Sequence, residues 1–273
     1  MARMPSAPPT FDEDFALAHC LADAAAEVTL SFWRRDPQRW NKADGSLATE
    51  ADLATEDRLR AILGAARPAD AILGEERGAS GSGSRRWILD GIDGTVAFAA
   101  GTEDWGTLIA LEVDGEVVLG LCVEPARRRR TWAARGGGAF RRDDGAEPRR
   151  LSVSGGNSLA QARTYLPPAH YIPDAAAAQM ADTVRARTAT AAGFPYHPAL
   201  EVAAGQAEVA VLFTGGVWDI AAPALIVTEA GGRFTTIIGD TRLDAGSAVY
   251  TNGLLHDDVL RVLAPIAVAT KRG

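Results

Sequence analysis

The segment Trp87-Ile88-Leu89-Asp90-Gly91-Ile92-Asp93-Gly94-Thr95 holds the residues most able to do chemistry. A short apolar run, the pattern of a buried strand, leads straight into two aspartates, and the Gly-Thr that follows can open a helix. At the end of a strand two carboxylates can converge on one hard cation, while free N–H groups at Gly94 and Thr95 face a phosphate. With 35 acidic residues in the chain, an acidic pair three apart recurs by chance. The apolar run before it and the glycine turn after it set this one apart. The interval reads D-x-x-D-G-T, one residue longer than the D-x-D-G-T of haloacid-dehalogenase phosphatases, so their aspartyl-nucleophile geometry is not reproduced. The four histidines, at 19, 170, 197 and 256, build no Ser-His-Asp or Cys-His arrangement, and His19 and His256 read as structural. Water activated by metal ions is the chemistry that remains.

Three further segments could complete such a site. Leu73-Gly74-Glu75-Glu76 puts two glutamates after a short apolar run, although Glu76 alone reads better as a solvated loop acid. Trp218-Asp219 starts an apolar helix, where an aspartate is as readily a plain N-cap as a ligand. The stretch Lys42 to Asp52 offers a lysine and several acids ahead of a helix, which again fits capping.

The elements that must position these residues change period along the chain. Thr10 is a suitable N-cap for a long amphipathic helix through Phe15, Ala18, Leu21, Ala25, Val28 and Phe32, and a second helix fits from about Asp52 to Leu63. Ala71–Leu73, Trp87–Leu89, Thr107–Val113, Glu116–Val123, Thr131–Ala134 and Leu151–Val153 read as a largely antiparallel meander, with Asp114-Gly115 the hairpin turn. The Gly/Ser stretch 78–84 reads as a surface loop. After Gly155-Gly156 come helices at Ala175–Thr188, Leu200–Gly205, Ile220–Ala230 and His256–Leu263, with strands at Glu208–Phe213, Phe234–Ile237 and Ala248–Thr251.

Composition narrows the class. The chain has 273 residues, 47% hydrophobic and 23% charged, with a net charge of −7. That is globular, and too acidic for general nucleic-acid binding, which rests on neutralising phosphates. The run Arg127–Arg130 is expected to be an exposed edge of the meander, where charge blunts aggregation, rather than a nucleic-acid patch. Cys20 and Cys122 are too few for a disulfide framework and read as reduced thiols. No apolar run approaches the ~18–20 residues of a membrane span, and the first ten residues lack the core of a secretory signal. The expectation is a cytoplasmic protein with no membrane partner.

Taken in order, K-x-D-G-S-x-x-T-x-A-D, G-E-E, W-I-L-D-x-I-D-G-T and W-D-x-A-A-x-x-L-I-V-x-E-A-G-G, from Lys42 to Gly232, strongly resemble the inositol monophosphatase superfamily of metal-dependent, lithium-sensitive phosphatases. Within it, Ala133-Ala134-Arg135-Gly136-Gly137-Gly138-Ala139-Phe140 and Leu108–Leu111 look most like bacterial histidinol-phosphate phosphatases. The resemblance implies an α/β fold of alternating helix and sheet layers. Residues 1–155 would form a helix pair on an antiparallel sheet carrying most ligands. Residues 156–273 would form a smaller mixed α/β half supplying Asp219 and the alcohol-binding side. It implies two or three Mg²⁺ ions: one held by Glu75, Asp90 and the Ile92 carbonyl, a second by Asp90, Asp93 and Asp219. Thr95 and Asp52 would orient and deprotonate the attacking water, Glu76 would support them from behind, and the N–H groups of Gly94 and Thr95 would receive the phosphate. A homodimer acting on a small phosphorylated metabolite is also implied. Histidinol phosphate leads, inositol or sugar phosphates follow, and a catalytically silent phosphate-binding homologue is the alternative of another class.

The sequence departs from the family at Gly91, where proline is usual, and at Ala97-Phe98, where Asn-Phe is usual. It departs again at 191–197, where Ala191-Ala192-Gly193-Phe194-Pro195-Tyr196 replaces the Arg-x-x-Gly-Ser-Ala stretch that grips the leaving alcohol. None of these removes an implied ligand. All fall on the non-phosphate side, which is expected to be less polar than in inositol phosphatases.

Overall fold

A computed structural model of the chain describes residues 11–270. Helix α1 (Asp12–Phe32) opens on Asp12, Glu13 and Asp14, acids that suit the positive end of the helix dipole. Phe11 stands at its N-cap; Thr10, expected there, lies outside the described residues. The short hairpin β1 (Arg39–Asn41) and β2 (Leu47–Thr49) leads into α2 (Glu50–Ala66). This helix starts two residues earlier than its apolar period suggested, because Thr49 caps it. The Thr49 Oγ1 accepts from the Ala51 N–H, and the Asp52 carboxylate accepts from the Thr49 N–H at 2.8 Å.

By length and average hydropathy alone α1 could cross a membrane, although it holds no unbroken apolar run of that length. Alanines raise its average hydropathy although Asp23 and Glu27 interrupt any apolar run. Its Ala18, Leu21, Ala22 and Ala25 face is nevertheless buried against Leu59 and Leu63 of α2 and the sheet beneath, as in a core helix.

The main sheet collects β3 (Ala71–Gly74), β4 (Gly78–Ser80), β5 (Arg85–Asp93), β6 (Gly106–Val113), β7 (Glu116–Glu124), β8 (Arg129–Ala134), β9 (Gly138–Asp143) and β10 (Arg149–Arg150). Their order is β10-β9-β8-β7-β6-β5-β3-β4, antiparallel throughout except for the parallel pair β3 and β5. A short helix α3 (Thr95–Ala99) follows β5. The β6–β7 turn has positive φ at Asp114 (52°) and Gly115 (81°), the twist-matched geometry expected of Asp-Gly.

Three expectations change here. Gly78–Ser80 is not all loop: it pairs antiparallel with β3 as an edge strand. Leu151–Val153 forms no ladder, since the Leu151 N–H goes to Ala139 and the Val153 N–H to Ala230. The run Arg127–Arg130 is not an edge either, because β8 lies between β7 and β9. Each of its guanidiniums meets a carboxylate: Arg127 Asp104, Arg128 Asp144, Arg129 Asp143 and Arg130 Asp23.

The second sheet is mixed, with order β12-β11-β13-β15-β14: β11 (Arg163–Tyr165), β12 (Ala189–Thr190), β13 (Val209–Leu212), β14 (Arg233–Thr235) and β15 (Ala248–Thr251). Helices α4 (Ala175–Arg185) and α7 (His256–Thr270) cover one face through Met180, Val184, Val259 and Leu263. Between the sheets lie α5 (Pro198–Ala203) and α6 (Val217–Glu229), whose Ile220, Leu225 and Ile226 join Ile88, Leu108 and Cys122 of the first sheet to Ala210, Ala248 and Tyr250 of the second. The layers therefore alternate α1/α2, sheet, α5/α6, sheet, α4/α7. Cys122 is buried and Cys20 exposed; both are free.

Candidate active site

Along β5 the side chains alternate in the usual strand period: Trp87 and Leu89 face α1 and α2, Ile88 and Asp90 the other side. A strict alternation would send Asp93, three residues on, to the opposite face from Asp90. The ladder to β6 instead breaks between Asp90 and Asp93, resuming at Asp93 opposite Gly106. That irregularity turns Asp93 back beside Asp90. Gly91, inside it, lies so close to α2 that a Cβ would stand 3.0 Å from the Asp52 carbonyl oxygen. The residue that replaces the family's proline thus permits close strand–helix packing.

Asp219 arrives from the other side, in the first turn of α6. Its Oδ2 accepts from the Gly216 N–H at 2.5 Å, so it does the capping that its sequence position suggested. It also joins the cluster: Asp90, Asp93 and Asp219 each bring a carboxylate oxygen within 4.8 Å of the others. Asp90 is buried, and neither of its carboxylate oxygens has a hydrogen-bond partner among the described residues. A buried carboxylate left bare in this way calls for a proton or a cation.

The electrostatics agree. Burial, then the charges of Glu75, Asp93 and Asp219, push Asp90 well above the usual carboxylate range. Burial, then Asp219 and Glu75, do the same to Asp93, against the partial help of the Tyr196 hydroxyl and the Gly94 N–H. Burial and Glu75 raise Asp219 to about 7. A divalent ion would relieve all of these repulsions at once, and an all-oxygen donor set suits a hard one.

Glu75 and Glu76 follow β3, and Lys42 holds both: its Nζ lies 2.7 Å from Glu75 Oε1 and also binds Glu76. Burial pulls the lysine down, but these bonds and charges outweigh it and leave its pKa raised. Lys42, which read as a capping-region residue, is thus a tether on the site. Asp52 and Thr95 meet as expected. The Thr95 hydroxyl lies 3.0 Å from Asp52 Oδ1 and 3.0 Å from the Ile92 carbonyl oxygen, and it can donate to one of them at a time. Burial raises Asp52 while hydrogen bonds from Thr49 and Thr95 restrain the shift. Gly94, at φ 83°, makes the sharp turn that starts α3 beneath this pair.

The model of the inositol monophosphatase family matches residues 12–266. The chain belongs to this family. A histidinol-phosphatase of Mycobacterium tuberculosis is 42% identical over 91% of this chain and 96% of its own. A Streptomyces griseus protein named glucose-1-phosphate thymidylyltransferase is 40% identical over 93% of this chain and 98% of its own. The solved extragenic suppressor protein suhB of Bartonella henselae superposes with a TM-score of 0.82 at 26% identity, over 92% of this chain and 98% of that one. Family membership, rather than either relative's name, sets the reaction class: the chain is a phosphoric monoester hydrolase.

Several residues of this inositol monophosphatase family member were not singled out from its sequence. Glu56 is fully buried one turn after Asp52, and its carboxylate accepts from the Glu76 and Arg77 N–H groups, fixing the turn that carries Glu75. The i, i+4 acids on the buried face of α2 were the available signal. His197 donates from Nε2 to the Asp219 carbonyl at 3.1 Å. That carbonyl lacks its normal helical donor because residue 223, four positions on, is proline. Burial holds the His197 pKa down to about 4, so the ring is neutral at physiological pH. Tyr196, expected on the alcohol side, is instead buried, and Phe194 and Pro195 are only partly exposed. Tyr171 packs at a tilt against His170 and is 40% exposed; partial burial and the charge of Asp93 raise its phenol.

Proposed function

We propose that the chain hydrolyses a small phosphate monoester with Mg²⁺, and that histidinol phosphate is its favoured class of substrate. The observation that carries the metal dependence is the buried Asp90 carboxylate, without a partner on either oxygen among the described residues, within the Asp93 and Asp219 cluster. Glu75, Asp90 and the Ile92 carbonyl would hold one cation; Asp90, Asp93 and Asp219 would hold another. In this reading residues 1–155 and 156–273 each contribute ligands, and the site lies where they meet. Bound magnesium would make water a better nucleophile at neutral pH and neutralise charge on the attacking and leaving oxygens.

The chain's own groups would do the rest. Thr95 donates to Asp52, which leaves its lone pairs to accept a proton of the attacking water, and Asp52 is placed to take that proton onward. The N–H groups of Gly94 and Thr95 would receive the phosphate. Lys42 and Glu56 keep Glu75 and Glu76 in place. The substrate preference is supported by the 42% identical histidinol-phosphatase and by Ala97, Phe194 and Pro195, which offer no side-chain donor to a polyhydroxylated alcohol. An apolar pocket discriminates by only ~1–3 kcal/mol per methylene, whereas a lost hydroxyl partner costs more.

The test is phosphate release from histidinol phosphate, myo-inositol 1-phosphate and simple sugar phosphates, in Mg²⁺ and in excess chelator. Histidinol phosphate is expected to give the highest kcat/KM, with no turnover in chelator. Inositol 1-phosphate better by tenfold would overturn the substrate assignment. Full turnover in chelator would overturn the metal dependence, and no turnover of any ester would leave a phosphate-binding homologue.

A further inference from the structure

We propose that Tyr196 is a positioning residue that holds the Asp93 carboxylate in the orientation needed to bind a cation, an inference that rests on the metal-site reading above. The argument starts from the ladder. Asp93 pairs with Gly106 across β5 and β6. Directly opposed residues of an antiparallel pair send their side chains to the same face, with Cβ atoms ~4.5–5.5 Å apart. A Cβ on Gly106 would stand 2.6 Å from both Cζ and Oη of Tyr196. The phenol therefore occupies the side-chain space that Gly106 leaves open, on the face that Asp93 shares, near enough for the two groups to act on each other's charge.

The hydroxyl is an otherwise unused donor. Tyr196 is 8% exposed, and its buried Oη makes no hydrogen bond of ordinary geometry among the described residues; the Asp93 carboxylate, whose charge it eases, is the acceptor within its reach. A ring serving only to fill space above Gly106 has no need of that oxygen, since phenylalanine would fill it without burying an unpaired polar atom. A carboxylate that binds a cation through one oxygen leaves the other to be steered by a donor, and such outer contacts typically carry a 10–100-fold effect on metal affinity. The adjacent residue supports the other arm of the cluster: His197 donates to the carbonyl of Asp219. Two consecutive side chains thus act on two acids, one from strand β5 and one from helix α6. This explains why Tyr196 and His197 turn inward while Ala192 and Gly193, just before them, stay exposed.

The experiment is a calorimetric Mg²⁺ titration of the metal-free full chain, as wild type, Tyr196→Phe, Asp93→Asn and the double variant, each checked for folding by thermal melt. Wild type is expected to bind Mg²⁺, and Tyr196→Phe to bind it 10–100-fold more weakly. The double variant should bind no more weakly than Asp93→Asn alone, because the hydroxyl acts through that carboxylate. If Tyr196→Phe does not fold, Tyr196→Met, which fills the space without a donor, takes the same measurement. Wild-type affinity in the phenylalanine variant, or a full additive loss in the double variant, would overturn the role given to Tyr196 and leave the metal site intact. A folded wild type that binds no Mg²⁺ would overturn the metal-site reading itself, and this inference with it.

Discussion

Replacing Asp219 by asparagine should stabilise the metal-free chain, and the gain should grow with pH. In the folded chain Asp219 keeps its proton up to about pH 7, against an ordinary value of 3.8. Between those limits the folded state binds more protons than the unfolded one, so this group's contribution to stability falls as pH rises. A shift of about three units at ~1.36 kcal/mol each comes to on the order of 4 kcal/mol. The histidines work in the opposite sense. His19, His197 and His256 are held down to about 4 in the fold, so their contribution rises with pH from there to ~6.5. They are common to both proteins and cancel in the difference, which is why the comparison rather than either curve is informative. At ~2–4 °C per kcal/mol for a chain of this size, Asp219→Asn should melt roughly 10 °C above wild type at pH 8 in chelator and close to it at pH 4. At pH 8, saturating Mg²⁺ should close most of the gap, because only wild type gains ~2.7 kcal/mol at one hundred times Kd. Thermal melts across pH, with and without Mg²⁺, make the measurement. A metal-free variant less stable than wild type at pH 8 would refute the electrostatic account of the cluster.

Asp90→Asn should lower phosphate release at saturating Mg²⁺ by at least ~100-fold, since an amide cannot neutralise two cations whose joint effect is several kcal/mol; undiminished turnover would contradict its bridging place. His197→Phe should cost about 1–3 kcal/mol in urea melts by leaving the Asp219 carbonyl unpaired, and adding Pro223→Ala should recover most of it by restoring the helical N–H. No recovery would show that His197 matters for another reason. Millimolar Li⁺ should inhibit turnover by entering the all-oxygen site, and unchanged activity would count against the proposed ligand arrangement.

The strand leading to Asp90 and the hairpin at Asp114-Gly115 were legible because apolar runs and turn residues are local signals. The convergence of Asp90 and Asp93 was expected from their place at a strand end, but the device that achieves it was not legible. Their spacing of three puts them on opposite faces of a regular strand, and only the break in the β5–β6 register reunites them. The strand Gly78–Ser80 was hidden by its Gly/Ser composition; it forms because β3 offers an open edge. Arg127–Arg130 read as an edge because a charge run shows nothing of strand order, which long-range pairing decides. Tyr196 was legible as bulky but not as buried, since its burial depends on the missing side chain of Gly106 on a distant strand. Asp219 was recognisable both as a cap and as a ligand, and its carboxylate supplies the cap while lying in the cluster.

Helix α6 is buried from Ile220 to Val227 and brings Asp219 to acids that precede it by 126 positions or more. A ribosome adding ~5–20 residues per second needs about 6–25 s to travel from Asp93 to Asp219. Throughout that interval the acids of the first sheet are already made but lack their counterpart, and α6, once it emerges, is an apolar cylinder with no partner until both sheets can close on it. The nascent chain therefore passes through a stage in which the least soluble element and the completion of the acidic cluster wait on the same docking event, and an agent that shields apolar helices during synthesis would also govern when that cluster is complete.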